Sequence, residues 1–404
     1  MPKIKGTSLL GVKEFNRIQI RRMIYRHAPV TRQAISAELS LTLPTITTNI
    51  ANMLSDGILT EYEDPNYAAS PQGGRKAQVL NFRADSYYSI GVELGPYRTC
   101  ICLTDLRGNP VCRRELPVVS FEYDKMIDFI VENIIAVREE STIKIERLLG
   151  VGLGLPGFIE EETGIIRTGS YISWSGMPLK SDLSNRINLP VWIENNVRMR
   201  AVGFEMFSNQ NVPDTFAYLY VSKGIACPLM IKNDVLEGYK ASAGVIGHTT
   251  ILPGGPVCPL CGKQGCLESV SGENAILALA QAAVNNGQAP MLAGLISPGG
   301  ALTMKNILEA QRMNDPQICS IMDTAVDYLG YEAANIFMFI SPSLFVVDGY
   351  IFENEVNRKR LQETAHKNLY GLSAKEAYIK FVPFDSYTGA YGAAAYTIRR
   401  QFLE

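Results

Sequence analysis

The stretch HTTILPGGPVCPLCGKQGCLE, residues 248–268, gathers three thiols, an imidazole and a terminal carboxylate in one loop. Cys258, Cys261 and Cys266 fall within nine residues, and His248 precedes the first of them by ten. Three thiolates and one imidazole form a closed tetrahedral set for Zn2+. Gly262 and Gly265 lie between the last two cysteines, where a loop wrapped around one small ion needs sharp turns and positive φ. A disulfide, a CxxC redox pair or plain core cysteines are the competing readings. A redox pair is expected to open a helix after a strand, whereas this pair sits in a Pro/Gly-rich loop with a third cysteine close by. Zinc is therefore the preferred reading, with His248, Cys258, Cys261 and Cys266 as ligands. Such a structural site contributes on the order of 10 kcal/mol to local folding.

The 404 residues are 47% hydrophobic, enough for two or three domains with substantial cores. A net charge of −2 excludes a uniformly basic chain but not a local basic patch. The first residues, MPKIKGTSLLGVKEF, lack the apolar core of a signal peptide, and no run of about 18 uncharged apolar residues follows, so a cytoplasmic protein without membrane partners is expected. Cys100, Cys102, Cys112, Cys227 and Cys319 lie in apolar surroundings and read as small buried hydrophobes in a reducing compartment.

Charge is uneven at the start. Between Met1 and Ile35 there are eight Lys/Arg against the single acid Glu14, a local positive field. Phe15, Ile18, Ile20, Met23 and Ile24 recur at helical spacing over Lys13–His27. Ala28-Pro29 ends that helix, and Thr31 caps a second over Arg32–Leu39. After a turn, PTITTNIANML begins a third helix, with Pro44 suited to its first position and Ile46, Ile50, Met53 and Leu54 facing inward. Its outer face, Thr45, Thr47, Thr48, Asn49 and Asn52, is polar and uncharged. ILTEY and AQVLNF then read as strands joined by a loop carrying Gly73-Gly74-Arg75-Lys76. Two helices, a polar third helix and a basic-tipped hairpin describe a winged helix-turn-helix. Thr45, Thr47, Thr48 and Asn49 are the base-reading candidates, and Arg32, Arg75 and Lys76 the candidates for phosphates or the minor groove of double-stranded operator DNA. A small oligomerisation or lid domain is the alternative.

From Tyr87 the pattern becomes three short β-rich runs (YYSIGVEL, TCICLTDL, VCRRELPVV) and a helix over about 123–140. A buried strand, LLGVGLGLPGFI, ends in a turn at Gly154–Gly157, and VWIENN runs into a helix near Val197. A second set starts with TFAYLYV and PLMIKNDVL, passes the cysteine loop, and continues through helices near 272–284, 303–312 and 323–339 to the strands SLFVVDG and YIKFVPF. A last helix begins near Ala390. Two similar halves predict an α/β bilobal protein with a ligand cleft between the lobes.

At this point the chain resembles transcriptional regulators of the ROK family (repressors, open reading frames and sugar kinases). The most specific match is the family's GH followed ten residues on by CxCGxxGCxE. Here Gly247-His248 leads to Cys258, and CPLCGKQGCLE carries one extra residue between the first two cysteines. LGLPGFI, ENN and GAYGAAAYTI are weaker matches. The resemblance implies an actin-like, hexokinase-like sensor over residues 85–404 behind a winged helix-turn-helix over residues 1–84. Lobe one is expected over about 85–193 with the C-terminal helix of about 389–404, and lobe two over about 194–388.

The kinase members carry DxGxT on the first hairpin, where this chain has Glu93-Leu94-Gly95-Pro96-Tyr97-Arg98-Thr99. Proline and tyrosine do not suit a phosphate loop. The family's catalytic base closes an END triplet; here the triplet is Glu194-Asn195-Asn196, and an amide cannot take a proton from a sugar hydroxyl. Ser222–Ala226 and Asp348-Gly349-Tyr350 are eroded as well. The four changes together argue against an enzyme. For effector binding the resemblance implies Gly157, Asn195, His248 and Glu268, with Asn196 in place of the Asp and still able to bond a hydroxyl. Val245 replaces a glutamate, which leaves a facing hydroxyl unpaired at a cost of about 1–3 kcal/mol. The implied function is a repressor, binding operator DNA as a homodimer or higher homo-oligomer, controlled by a sugar or sugar phosphate. A ROK sugar kinase or a ligand-independent regulator is the alternative.

Overall fold

The computed structural model describes residues 9–64, 78–118, 120–160, 163–168, 172, 174–208 and 211–404. The head comprises α1 (Leu9–His27), β1 (Val30–Thr31), α2 (Arg32–Leu39), α3 (Leu43–Ser55), β2 (Leu59–Glu63) and β3 (Gln78–Phe82). Thr31 caps α2 as expected, its hydroxyl accepting from the Ala34 amide at 3.1 Å. The strands form an antiparallel sheet in the order β1-β3-β2, one strand more than the expected hairpin. Val30 joins this sheet beside Leu80, and Thr31 beside Val79.

The first half of the remainder contains β4 (Tyr88–Leu94), β5 (Arg98–Asp105), β6 (Pro110–Pro117), α4 (Tyr123–Ser141), β7 (Leu148–Leu155), the hairpin β8 (Phe158–Glu160) and β9 (Ile165–Thr168), α5 (Leu179–Ile187), β10 (Val191–Asn195) and α6 (Asn196–Phe207). Its sheet runs β10-β7-β4-β5-β6. The central strands β4 and β7 are buried along their whole length, whereas the edge strand β6 alternates exposed and half-buried residues. The second half holds β11 (Phe216–Val221), β12 (Ile225–Ala226), β13 (Leu229–Ile231), β14 (Asp234–Val235), α7 (Leu267–Ser271), α8 (Glu273–Asn285), α9 (Pro290–Leu295), α10 (Met304–Arg312), α11 (Pro316–Ile340), β15 (Phe345–Asp348), α12 (Glu355–Lys367) and β16 (Ile379–Phe381). Its sheet runs β14-β13-β11-β15-β16, with β12 on the end of β11. Counted in chain order and leaving β12 aside, both sheets have the order 3-2-1-4-5. Each half is thus an antiparallel meander continued by parallel crossovers, and ligands of such open sheets bind beyond the carboxyl ends of the strands where the order reverses.

The final helix α13 (Thr388–Ile398), extended by a π turn over Arg399–Leu403, lies on the first sheet against β4, β5 and β7. Its small residues explain how closely it lies. A Cβ on Gly152 of β7 would sit 2.1 Å from the Ala393 carbonyl oxygen. The expected lobe boundary at 193–194 shifts slightly. β10 pairs with β7 through Asn195, so Glu194 and Asn195 belong to the first sheet. α6 serves both halves: Val197 and Ala201 pack with Phe216, Tyr218 and Val346 of the second sheet, and Met199 and Val202 with Ala393 and Ala395 of α13. The head is not an independent bead. Its core of Ile20, Ile24, Tyr25, Ile46, Ile50 and Phe82 is continuous with Leu106, Leu149, Ile398, Phe402 and Leu403.

Candidate functional site

Three groups of residues carry chemistry. The first is the cysteine loop. Short antiparallel bridges pair Thr250 with Cys266 and Val257 with Gln264, folding the segment back on itself. Gly265, at φ 73°, makes this possible, since a Cβ there would lie 1.6 Å from the Leu252 carbonyl oxygen. The ligand atoms of His248, Cys258, Cys261 and Cys266 all lie within 4.8 Å of one another. Cys258 Sγ is 3.6 Å from His248 Nδ1, and Cys261 Sγ is 3.5 Å from Cys266 Sγ. A tetrahedral ion with metal–sulfur bonds of about 2.3 Å spaces its ligands by roughly 3.6–3.8 Å, so the set fits one ion. The Lys263 backbone amide holds the Cys261 thiol below its ordinary value, while burial pushes that of Cys266 up to about 12. A dication deprotonates its thiols outright.

The second group lies at the carboxyl ends of the two sheets, which Arg200 ties together through Glu93 of β4 and Asp348 of β15. Asn195 caps α6: Oδ1 accepts from the Val197 and Arg198 amides at 3.0 and 3.2 Å, and Nδ2 donates to the Gly157 carbonyl at 3.0 Å. Gly157 and Asn195 are thus brought together, and both ends of this amide serve the fold. Asn196 is a correction to its expected role beside a sugar hydroxyl: it is buried, and its Nδ2 donates to Glu93 Oε1 at 3.2 Å. The turn into the helix at Asn195 points the next side chain back under β4. Glu268 is the second residue of α7, two residues after Cys266, and its Oε2 accepts from the Ile225 amide at 3.1 Å. Burial pushes this carboxyl above its ordinary range, against the pull of that amide and of His248. His248 and Glu268 thus lie together on the wall held by the cysteine loop. No hydrogen bond among the described residues joins them to Gly157 and Asn195.

Between these clusters lies a buried ionic network that reading the sequence missed. Arg200 of α6 donates Nε and Nη2 to Glu93 of β4, at 2.9 and 2.7 Å, and Nη1 to Asp348 of β15 at 2.9 Å. Tyr218 donates its hydroxyl to the same Asp348 oxygen at 2.8 Å, and the guanidinium lies 4.2 Å from the Tyr220 ring centroid. Arg200, Glu93 and Asp348 are 3%, 6% and 0% exposed. Burial opposes the Arg200 charge, but Glu93, Tyr220 and Asp348 outweigh it and hold its pKa well above the ordinary value. Burial likewise lifts Asp348, with Arg200 opposing. Nearby, Lys223 lies 4.1 Å from the centroid of the Tyr97 ring, closing the first hairpin against the loop after β11. Two arginines alternating in the apolar helix VRMRAVGF were the available signal.

The third group is the head. Thr47, Thr48 and Asn52 of α3 are exposed, and Thr45 is half-buried with its hydroxyl 2.9 Å from that of Thr42. Thr48 donates back to the Pro44 carbonyl at 3.0 Å. Asn49 is a correction: it is buried and donates to the Thr45 carbonyl at 2.8 Å, because the sequence Ile46, Asn49, Ile50, Met53 is itself the inward stripe of a helix. Arg32 is corrected too. It forks onto both carboxylate oxygens of Glu61 in β2, one of them at 3.1 Å, and so is already neutralised. Arg75 and Lys76 lie outside the described residues.

Two 3-2-1-4-5 sheets joined through α6, a loop gathering three cysteines and a histidine, and a head of three helices on a three-stranded sheet define a protein of the actin-like fold class. The chain belongs to the ROK family, which it matches over residues 89–400. It is 29% identical over 281 residues, 68% of either chain, to the putative xylose repressor of Caldicellulosiruptor sp. (strain Rt8B.4). It is also 29% identical over 267 residues, 66% of this chain and 81% of the other, to a glucokinase of Halalkalibacterium halodurans. A solved ROK family transcriptional regulator, a homologue of the E. coli MLC protein, superimposes with a TM-score of 0.80 at 19% identity over 97% of this chain and 98% of that one.

Proposed function

We propose that this chain is a DNA-binding repressor whose bilobal unit senses a sugar or sugar derivative and has lost phosphoryl transfer. The observation that carries this reading is the head: an exposed polar face of α3, on a basic three-helix unit whose core continues into the sensor. That geometry suits insertion into a major groove with phosphate contacts alongside. The repressor likeness points the same way. In solution the expected reader is a homodimer, since paired heads match a pseudo-palindromic operator.

In the cleft, Gly157, Asn195, His248 and Glu268 are the candidates for effector contact, with Glu268 and His248 presented by the cysteine loop. Zn2+ held by His248, Cys258, Cys261 and Cys266 would supply no chemistry; it would fix the wall from which Glu268 projects. The glucokinase likeness favours a second reading, a sugar kinase with an accessory head. Against it, Asn196 can accept no proton, and Arg200 and its two carboxylates occupy the space beyond β4 and β15. Gel shifts with the DNA upstream of the chain's own coding region, repeated across salt, test the repressor; specific binding weakens steeply as salt rises. Failure to bind any such fragment sinks it. An ADP-release assay across monosaccharides tests the kinase, and turnover lost on changing Glu268 would reverse the choice.

A further inference from the structure

The buried Arg200 network joins the two halves of the chain: Glu93 lies on the first sheet, Asp348 on the second, and Arg200 on the helix between them. The same helix reaches the head. Five residues beyond Arg200, or about 7.5 Å along the axis, Glu205 accepts from Arg26 of α1 at 3.2 Å and from Arg399 at 2.6 Å. α13 runs beside it in backbone contact, a Cβ on Gly203 falling 2.7 Å from Gly392 Cα. One end of α13 lies against the latch, where a Cβ on Gly389 would fall 1.9 Å from the Glu93 carboxyl carbon. The other end supplies Ile398 to the head core, and the π turn adds Phe402 and Leu403. Arg22 holds that turn from the head side, Nε donating to the Leu403 carbonyl at 2.9 Å. A change in the angle between the lobes must therefore either break the Arg200 fork or carry α6 and α13, and with them α1.

We propose that Arg200, Glu93 and Asp348 form a buried interlobe latch, and that α6 and α13 act as one strut coupling its state to α1 through Glu205. The proposal names a regulatory path for the sensor proposed above. It rests on that reading only for its consequence at DNA.

The test uses hydrogen exchange on the full chain without any ligand. Arg200→Met alone leaves two buried carboxylates unpaired and risks unfolding, so the decisive variant removes all three charges: Glu93→Gln, Arg200→Met and Asp348→Asn together. Expected is a rise of about tenfold or more in exchange along Arg17–His27 of α1, with α10 and α12 of the second half unchanged. Glu205→Gln should produce the same rise in α1 alone. Adding the triple change to Glu205→Gln should then give little more, because both cut one path. The proposal is overturned if α1 exchanges at the parental rate in the triple variant, if α10 and α12 rise equally, or if the two sets of changes multiply. Gel shifts on the parental chain read the DNA function separately, so failure there leaves the exchange result standing.

Discussion

Replacing Glu273 by Gln probes the cleft directly. Glu273 opens α8 at the loop after β11; its amide donates to the Ser222 carbonyl at 2.9 Å, and its carboxylate, in a residue only 5% exposed, lies 3.3 Å from the Ser222 hydroxyl. Burial pushes its pKa from the ordinary 4.5 up to about 7, against smaller opposing pulls from Ser222, Lys223 and Arg98. Between those two values the folded chain keeps a proton that the unfolded chain has released. Stability therefore falls as pH rises through this window and levels off above about 7. A shift of that size corresponds to roughly 3 kcal/mol. Glu273→Gln, which is neutral throughout, should be more stable than the parent at pH 8 by up to about 3 kcal/mol, the advantage vanishing toward pH 4.5. Urea denaturation of both proteins at half-unit steps of pH measures the difference. A difference that does not change with pH, or a Gln variant less stable at pH 8, would refute the argument. Confirmation would also show that the loop after β11 backs onto a buried carboxyl, which repels an anion when ionised.

Two further outcomes concern the cysteine loop and the head. Cys266→Ala, at a fully buried ligand position, should abolish stoichiometric zinc in the purified chain and lower its thermal midpoint, and chelation of the parent should do the same; full zinc content in the variant would contradict the ligand set. Thr47→Ala should weaken specific operator binding by about 1 kcal/mol without changing the salt slope. Arg32→Ala should leave that slope unchanged too, since Glu61 already holds the guanidinium; a slope reduced by about one in fluorescence anisotropy would show that Arg32 reaches a phosphate.

Local chemistry made part of this molecule legible. Thr31, Pro44 and the glycines of the cysteine loop are punctuation whose meaning needs no tertiary context, and the helices and ligand cluster they mark are where the sequence places them. Elements with weak local signals were missed. α12, EVNRKRLQETAHK, buries only Asn357, Leu361 and Ala365, and α5 is a nine-residue helix, too short for its apolar period to register. The ionic network was out of reach for a different reason. Glu93 and Arg200 are 107 residues apart and Arg200 and Asp348 are 148 apart, so no periodicity connects them. Glu93 and Asp348 do register as departures from the kinase pattern. What the sequence conceals is that the departures are partners.

That partnership bears on what an Asp at position 196 would do. Asn196 Nδ2 lies 3.2 Å from Glu93 Oε1, and both Glu93 oxygens already accept from Arg200. Asn196→Asp would replace a donor by a second carboxylate at the same place, with both side chains buried. Two carboxylates that close cannot both ionise without a large penalty, so one keeps its proton and the cost grows with pH. The expected cost is about 3 kcal/mol or more at pH 8, comparable to stranding a buried charge, and it should shrink toward pH 5. The new Asp should also give no ADP release with any monosaccharide, because Arg200 holds Glu93 away from any metal or phosphate. Denaturation across pH and the coupled assay decide the matter together. A variant as stable as the parent at pH 8, or one that turns over sugar, would mean that Glu93 and position 196 do not share a single buried charge balance.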